Sequence, residues 1–410
     1  MYTFPYINGR IFDNNSASFI NDDGISKVVK QVQAPVLDTA SGNGGVAGEL
    51  TECKSYYGSH ELNGQDVLFD VADPTTTYWQ EKYADTVGQL VNDSHVAGVY
   101  IDQLCAASPV ADWSARLQHG TGGGAWWRRG LVELLDKARA QSRTVAPLVT
   151  ESNAEFLMDE VNGLLTLEAF GVPFAPPPVP SPGHRVLVPA FAAVYGGYYV
   201  AFGSVYTTND LALNPDVFAS RLATSFVYGA QMGWFSLGGV DHGPNLDTKC
   251  GPMHTLDAFL SPDRDAEVAF LRMLAQARST VQRYFVHGRL VAPIELAQAP
   301  ATFLAPDQAI APRNPGPFPT LSTAVWQAAG DATLCVFLVT STRAETQASF
   351  VLDMEGVYGV EGEAFDVFLL SPDGGTATIL DRVRGSNIVP LNRTVPGRTV
   401  EMIEIRKVVS

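Results

Sequence analysis

The feature that most restricts what this chain can become is a change of rhythm near residue 290. Up to about residue 285, short apolar runs alternate with segments of helical spacing. The runs at 2–7, 96–101, 144–149, 163–167, 186–195 and 233–236 read as strands, and 74–91, 125–141, 216–232 and 262–284 read as helices. Asp73 followed by Pro74 gives the second set its clearest start signal, an N-cap and a first-position proline. In 125–141 (AWWRRGLVELLDKARAQ), Trp127, Leu131, Leu134 and Leu135 recur at helical spacing. Strands alternating with helices predict βαβ units and a parallel sheet. Prolines at 293, 300, 306, 312, 315, 317 and 319 then break the pattern. Beyond them, 333–342, 347–354, 365–371, 376–381 and 398–406 are strand-like with Gly, Pro and Asp turns, the pattern of an antiparallel β-sandwich.

The expected organisation is α/β, with a TIM-type barrel domain over 1–290 and a β-sandwich over 291–410, joined by the proline-rich connector. A (β/α)8 barrel needs eight strands. The six strand-like runs above fall two short, so a barrel lacking its first two βα units is the expectation.

Composition narrows the function. The 410 residues carry 27 Lys+Arg against 43 Asp+Glu, a net charge of −16, which argues against nucleic acid and anionic membrane as partners. Cys53, Cys105, Cys250 and Cys335 are widely spaced, so neither a zinc motif nor a disulfide framework is signalled. The opening MYTFPYINGRIFD shows no signal peptide, but with barrel strands expected upstream of it the compartment stays open. The uncharged stretch 186–209 reads as a strand and a loop in preference to a membrane span. The segment FAPPPVPSPGH (174–184) reads as an extended surface loop.

In a β/α barrel, chemistry gathers where the strands end. VAGVYID ends in Asp102, and VAPLVTE ends in Glu151 with Asn153 and Glu155 just beyond. LLTLE ends in Glu168, and the first strand runs into Asn8, Arg10 and Asp13. Asp102 and Glu151 lie one βα unit apart, so they sit on adjacent strand ends. That placement can bring two carboxyl groups to the ~5–5.5 Å used by retaining glycosidases. Each acid could instead cap a helix or pair with an arginine, and Glu168 is an alternative acid. The loop after Asp102 reads HGTGGGAWW. Its glycines let backbone approach a ligand, and Trp126 is the candidate to stack on a sugar face, with Trp127 assigned to the core. His119 makes either a loop hydrogen bond or a substrate contact. Tyr195, in AVYGGYYVAFG, is a further candidate for the mouth. Asp241 and His242 hint at a metal, yet no further histidines stand at ligand spacing, so no metal and no cofactor are expected. Nucleophile-elbow, dinucleotide and P-loop motifs are absent.

At YINGRIFD, GVYIDQ, HGTGGGAWW, TESNAE and AVYGG the chain resembles a bacterial group of glycoside-hydrolase-like proteins, usually described only as a domain of unknown function. More distantly it is similar to endo-α-N-acetylgalactosaminidases and their clan of retaining barrels. The resemblance covers roughly residues 1–290 in scattered blocks. It implies a (β/α)8 barrel followed by a β-sandwich, a nucleophilic Asp on the fourth strand and an acid/base Glu on the fifth. Asp102 and Glu151 match those positions, and Asn8, Arg10, Asp13, His119 and Trp126 match substrate-facing blocks. Members of the group carry barrel strands ahead of the YINGR block, and the insert at 174–184 is longer than theirs. The leading expectation is a retaining O-glycoside hydrolase acting on a carbohydrate. The alternatives are a carbohydrate-binding or inactive truncated barrel and, lower, a metal-dependent hydrolase using Asp241 and His242.

Overall fold

The computed structural model describes residues 3–13, 16–29, 69–106, 109, 111–113, 119–142, 146–166, 189–203, 206–207, 215–233, 235–236, 262–304 and 317–408. Its described residues through Leu165 form one compact unit, and those from Thr166 onward form another.

In the first unit, β1 (Tyr6–Asn8), β4 (Val99–Asp102), β5 (Leu148–Glu151) and β6 (Gly163–Leu165) make a parallel sheet in that order. Between the first two, β2 (Ile11–Asp13) pairs antiparallel with β3 (Phe69–Val71). Three helices accompany them: α1 (Ala17–Asn21), α2 (Thr77–Asn92) and α3 (Trp126–Gln141). Strands β4, β5 and β6 are short and largely apolar because both their faces are covered, with Val99, Ile101, Leu148, Leu164 and Leu165 all buried. Helices α2 and α3 bury Val87, Val91, Leu131, Leu134 and Leu135, the stripe that the spacing predicted for α3. Gly9 explains the glycine of YINGR. A Cβ there would lie 2.6 Å from Leu104 Cδ2 and 2.8 Å from Ile101 Cγ2. The Gly9 carbonyl also accepts the Trp79 indole N–H at 3.2 Å.

The start of α2 corrects the expected cap. Thr76, not Asp73, is the N-cap, its hydroxyl accepting from the Trp79 amide. Asp73 Oδ1 is engaged earlier, by the amide and hydroxyl of Thr75 at 2.8 and 2.7 Å, so the chain makes an Asx turn before the helix begins.

In the second unit a six-stranded antiparallel sheet has the order 289–290, 321–327, 334–340, 400–407, 364–370, 378–384. A two-stranded pair, 346–353 with 388–395, packs over one face through Phe350, Leu352, Val389 and Leu391, giving the sandwich core. The helices 215–227, 265–280 and 282–285 cover the other face. This is why LCVFLVT (334–340) has no polar alternation. Leu334, Val336 and Leu338 enter the sandwich core while Cys335, Phe337 and Val339 meet the helices. Those helices group with the C-terminal strands, so the contacts divide the chain differently from a boundary at residue 290.

Two further differences have local causes. The expected strand 186–195 is, where described, the short helix Ala190–Tyr195, rich in alanine after Pro189, and the strand follows the two glycines as Val200–Phe202. Strand 388–395 escapes detection because Pro390 interrupts its pattern. Proline is tolerated there because, among the described residues, the strand pairs only with 346–353. No helix among the described residues is long and apolar enough to cross a membrane.

Candidate active site

The register of the parallel sheet decides what stands beside what. Asn8 lies opposite Asp102, and Ile101 lies opposite Thr150, so Asp102 and Glu151 occupy the same rung of neighbouring strands. In-register residues of parallel strands project to the same face, with backbones about 4.8 Å apart. Asn8, Asp102 and Glu151 therefore form a row across the C-terminal ends of β1, β4 and β5. Asp102 is 4% and Glu151 8% exposed.

Among the described residues, Tyr6, Asn8 and Tyr100 donate to Asp102. The Tyr6 hydroxyl donates to Oδ2 at 2.6 Å, Asn8 Nδ2 to the same oxygen at 3.3 Å, and the Tyr100 hydroxyl to Oδ1 at 3.0 Å. Tyr6 and Tyr100 sit two residues before Asn8 and Asp102, which puts them on the same face by the period of a strand. Asn8 is itself fixed, because its Oδ1 accepts from the amides of Arg10 and Ile11 at 2.9 and 3.1 Å. Burial, with the charges of Asp102 and Glu151 beside it, pushes the Tyr100 phenol well above its ordinary range. This favours the protonated phenol that donates to Asp102.

Backbone strain marks the same two places. Gln103 and Ser152, the residues directly after the two carboxylates, adopt left-handed conformations with φ of 60° and 62°. Non-glycine residues pay about 1–2 kcal/mol for that region, and such outliers gather where function over-determines the chain. The chain turns sharply away just past each carboxylate and leaves it at the rim.

Other candidates fall elsewhere. Asn153 and Glu155 are exposed just past Glu151, and Glu155 opens a 3-10 turn. Arg10 borders a small cavity with Gln103 and Trp127, and Asp13 ends β2. Trp126 corrects its expected role. It is 3% exposed, stacks on His119 with ring centroids 3.9 Å apart, and donates its indole N–H to the Gly122 carbonyl at 3.1 Å, so it offers no open face to a sugar. His119 Nε2 lies 3.2 Å from Asp73 Oδ2 and 3.4 Å from Asp112 Oδ2, a cluster that no spacing in the sequence announced. Tyr195 ends the helix 190–195 in the second unit, where Phe191 packs against it at 4.9 Å. Glu168, Asp241, His242 and the insert 174–184 lie outside the described residues.

Removal of the Tyr6 hydroxyl takes away one of these donors. Tyr6→Phe is expected to cost about 1.5 kcal/mol of stability, the lower end for a hydrogen bond to a charged group, because Tyr6 is 43% exposed. Urea unfolding beside an unchanged circular dichroism spectrum of the folded protein checks this.

Residues 1–206 match the family described as "Domain of unknown function (DUF6259)". The chain belongs to that family. This DUF6259 protein is 43% identical over 326 residues to "Putative glycoside hydrolase 22789" of Monosiga brevicollis, covering 80% of this chain and 25% of that protein. It is 24% identical over 294 residues to a "Putative glycoside hydrolase" of Bacteroides thetaiotaomicron, covering 71% of this chain and 36% of that one. The chain thus spans well under half the length of either relative. Among solved structures, the α-amylase from H. orenii is similar with a TM-score of 0.54, at 10% identity, over 97% of this chain and 78% of its own. At that identity the likeness speaks for fold alone, an α/β protein of TIM-barrel type with accompanying antiparallel sheets.

Proposed function

We propose that this chain carries the catalytic centre of a retaining O-glycoside hydrolase, on strands that belong to an eight-stranded barrel. The observation that carries the reading is the shared rung of Asp102 and Glu151, both buried and each followed by a left-handed residue. Asp102, aimed by Tyr6, Asn8 and Tyr100, attacks the anomeric carbon of the sugar. Glu151 gives its proton to the departing glycosidic oxygen. Glu151 then takes a proton from water as that water displaces the sugar from Asp102, so configuration at the anomeric carbon is kept. Asn153 and Glu155, exposed beyond Glu151, and Arg10 and Asp13 beyond β1 contact the bound carbohydrate. The names of the two curated relatives support a glycoside as substrate.

The test is covalent trapping. A panel of 2-deoxy-2-fluoro glycosides with activated leaving groups is incubated with the full chain, followed by peptide mass spectrometry and proton NMR of product anomers. A label on Asp102 with retained configuration is expected. A label on another residue, or an inverted product, would reject the assignment.

A further inference from the structure

Away from the strand-end carboxylates, Asp73, Asp112 and His119 bring three potential ligand atoms within 4.8 Å of one another. We propose that these three residues form a binding site for a divalent transition-metal ion of the zinc class. The inference does not depend on the glycosidase reading.

The distances favour ligands of an ion over a salt bridge. His119 Nε2 stands 3.2 Å from Asp73 Oδ2 and 3.4 Å from Asp112 Oδ2. A charge-assisted N–H···O bond closes to about 2.7–2.9 Å. Ligand atoms about 2.0–2.2 Å from a tetrahedral ion stand about 3.3–3.6 Å from each other, close to what is seen here.

The orientation agrees. His119 Nδ1 lies 2.7 Å from the Gly120 carbonyl, which can only accept, so Nδ1 carries the proton. Nε2 is the ring nitrogen turned to the two carboxylates, and a metal-bound histidine is commonly held in this way, by a backbone carbonyl on its other nitrogen. Asp73 is held in the same manner, since Thr75 occupies Oδ1 with two hydrogen bonds and leaves Oδ2 turned to the cluster. Trp126 fixes the imidazole plane by stacking within 5° of parallel. Asp112 exchanges backbone hydrogen bonds with Gly122, whose φ of 99° suits glycine alone. All three side chains are buried, at 0%, 0% and 4% exposure.

One imidazole with two carboxylates suits zinc, whereas calcium takes six to eight oxygens. The ion ties the turn between β3 and α2 to the glycine-rich loop ahead of α3. His119 also borders a cleft of about 600 Å3 lined by Thr75, Thr76 and Arg129, a route for the ion to enter.

The full chain is stripped with chelator and titrated with Zn2+ by calorimetry, and with Co2+ by visible absorption. One Zn2+ per chain, cobalt d–d bands of tetrahedral intensity displaced by Zn2+, and a rise in Tm are expected. Thr75→Val, which keeps every ligand, should weaken Zn2+ about 10-fold or more. Asp112→Asn with His119→Gln should abolish the cobalt bands. Absence of stoichiometric Zn2+ uptake by the wild type overturns the site, and so does undiminished uptake by the double variant. Preference for Ca2+ over Zn2+ would overturn the assigned ion class. Should the double variant fail to fold, the Thr75→Val affinity decides, and an unchanged value counts against the site.

Discussion

Glu151→Gln is expected to lower kcat/KM for a glycoside with a poor leaving group by about 10²–10⁴-fold while lowering kcat/KM for a dinitrophenyl glycoside far less. The split follows from where the proton is needed. An alkoxide leaves only if protonated as the bond breaks, so the alkyl glycoside depends on Glu151 at the first step. Dinitrophenolate leaves unaided, and its first step needs only Asp102. Asp102→Asn, in contrast, is expected to lose both substrates alike, because an amide cannot form the glycosyl ester. Azide should restore turnover of the dinitrophenyl substrate by the side-chain-deleted Glu151→Ala. Equal losses on both substrates for Glu151→Gln would remove it from the acid role and return attention to Glu168. The glutamine variant keeps the shape of the rung between β4 and β6, so a loss of this kind reports chemistry and not folding.

The second large effect concerns stability in the C-terminal unit. Glu267 is completely buried on the helix 265–280, and Oε1 accepts from Arg343 at 3.0 Å and Arg398 at 3.2 Å. Arg398 also donates to Asp216 at 2.6 Å and to the Ser341 carbonyl. Burial pulls the Arg398 guanidinium below its usual range while Asp216 and Glu267 hold it up. Removing one partner of a buried pair leaves an uncompensated charge, so Glu267→Ala is expected to cost about 3–5 kcal/mol in urea unfolding. Removing both charges with apolar residues of similar size, Glu267→Leu with Arg398→Met, should recover most of that loss. A single-variant cost under about 1 kcal/mol, or strict additivity in the double variant, would show that the pair is not coupled.

How much of this was legible in the sequence depended on the range of the signal. The placement of Asp102 and Glu151 at strand ends was readable because each ends a dense apolar run, and strand ends are fixed by local pattern. Tyr100 was within reach too, since alternation alone puts it on the face of Asp102. The cluster of Asp73, Asp112 and His119 was not, because its members come from separate turns and only the folded loops bring them together. Asp73 was even claimed by a rival local rule, as a helix cap beside Pro74, and the Asx turn to Thr75 shows why that rule lost. Trp126 misled in the opposite sense. A tryptophan beside glycines reads as a ligand platform, yet its ring is taken up by His119. In the sandwich, Pro390 hid a strand that the edge of a two-stranded pair could accept.

The left-handed turns at Gln103 and Ser152 bear on how this protein could be engineered. Glycine at either position would relieve steric strain of about 1–2 kcal/mol, but it would add about 0.5–1 kcal/mol of chain entropy to be lost on folding. The relief equals or exceeds the cost, so a screen by melting temperature would pass such variants or even favour them. The turn would nonetheless have become a pivot beneath each carboxylate. Selection for thermal robustness would therefore admit glycine at these two positions, and a screen on turnover is what would see the cost of the exchange.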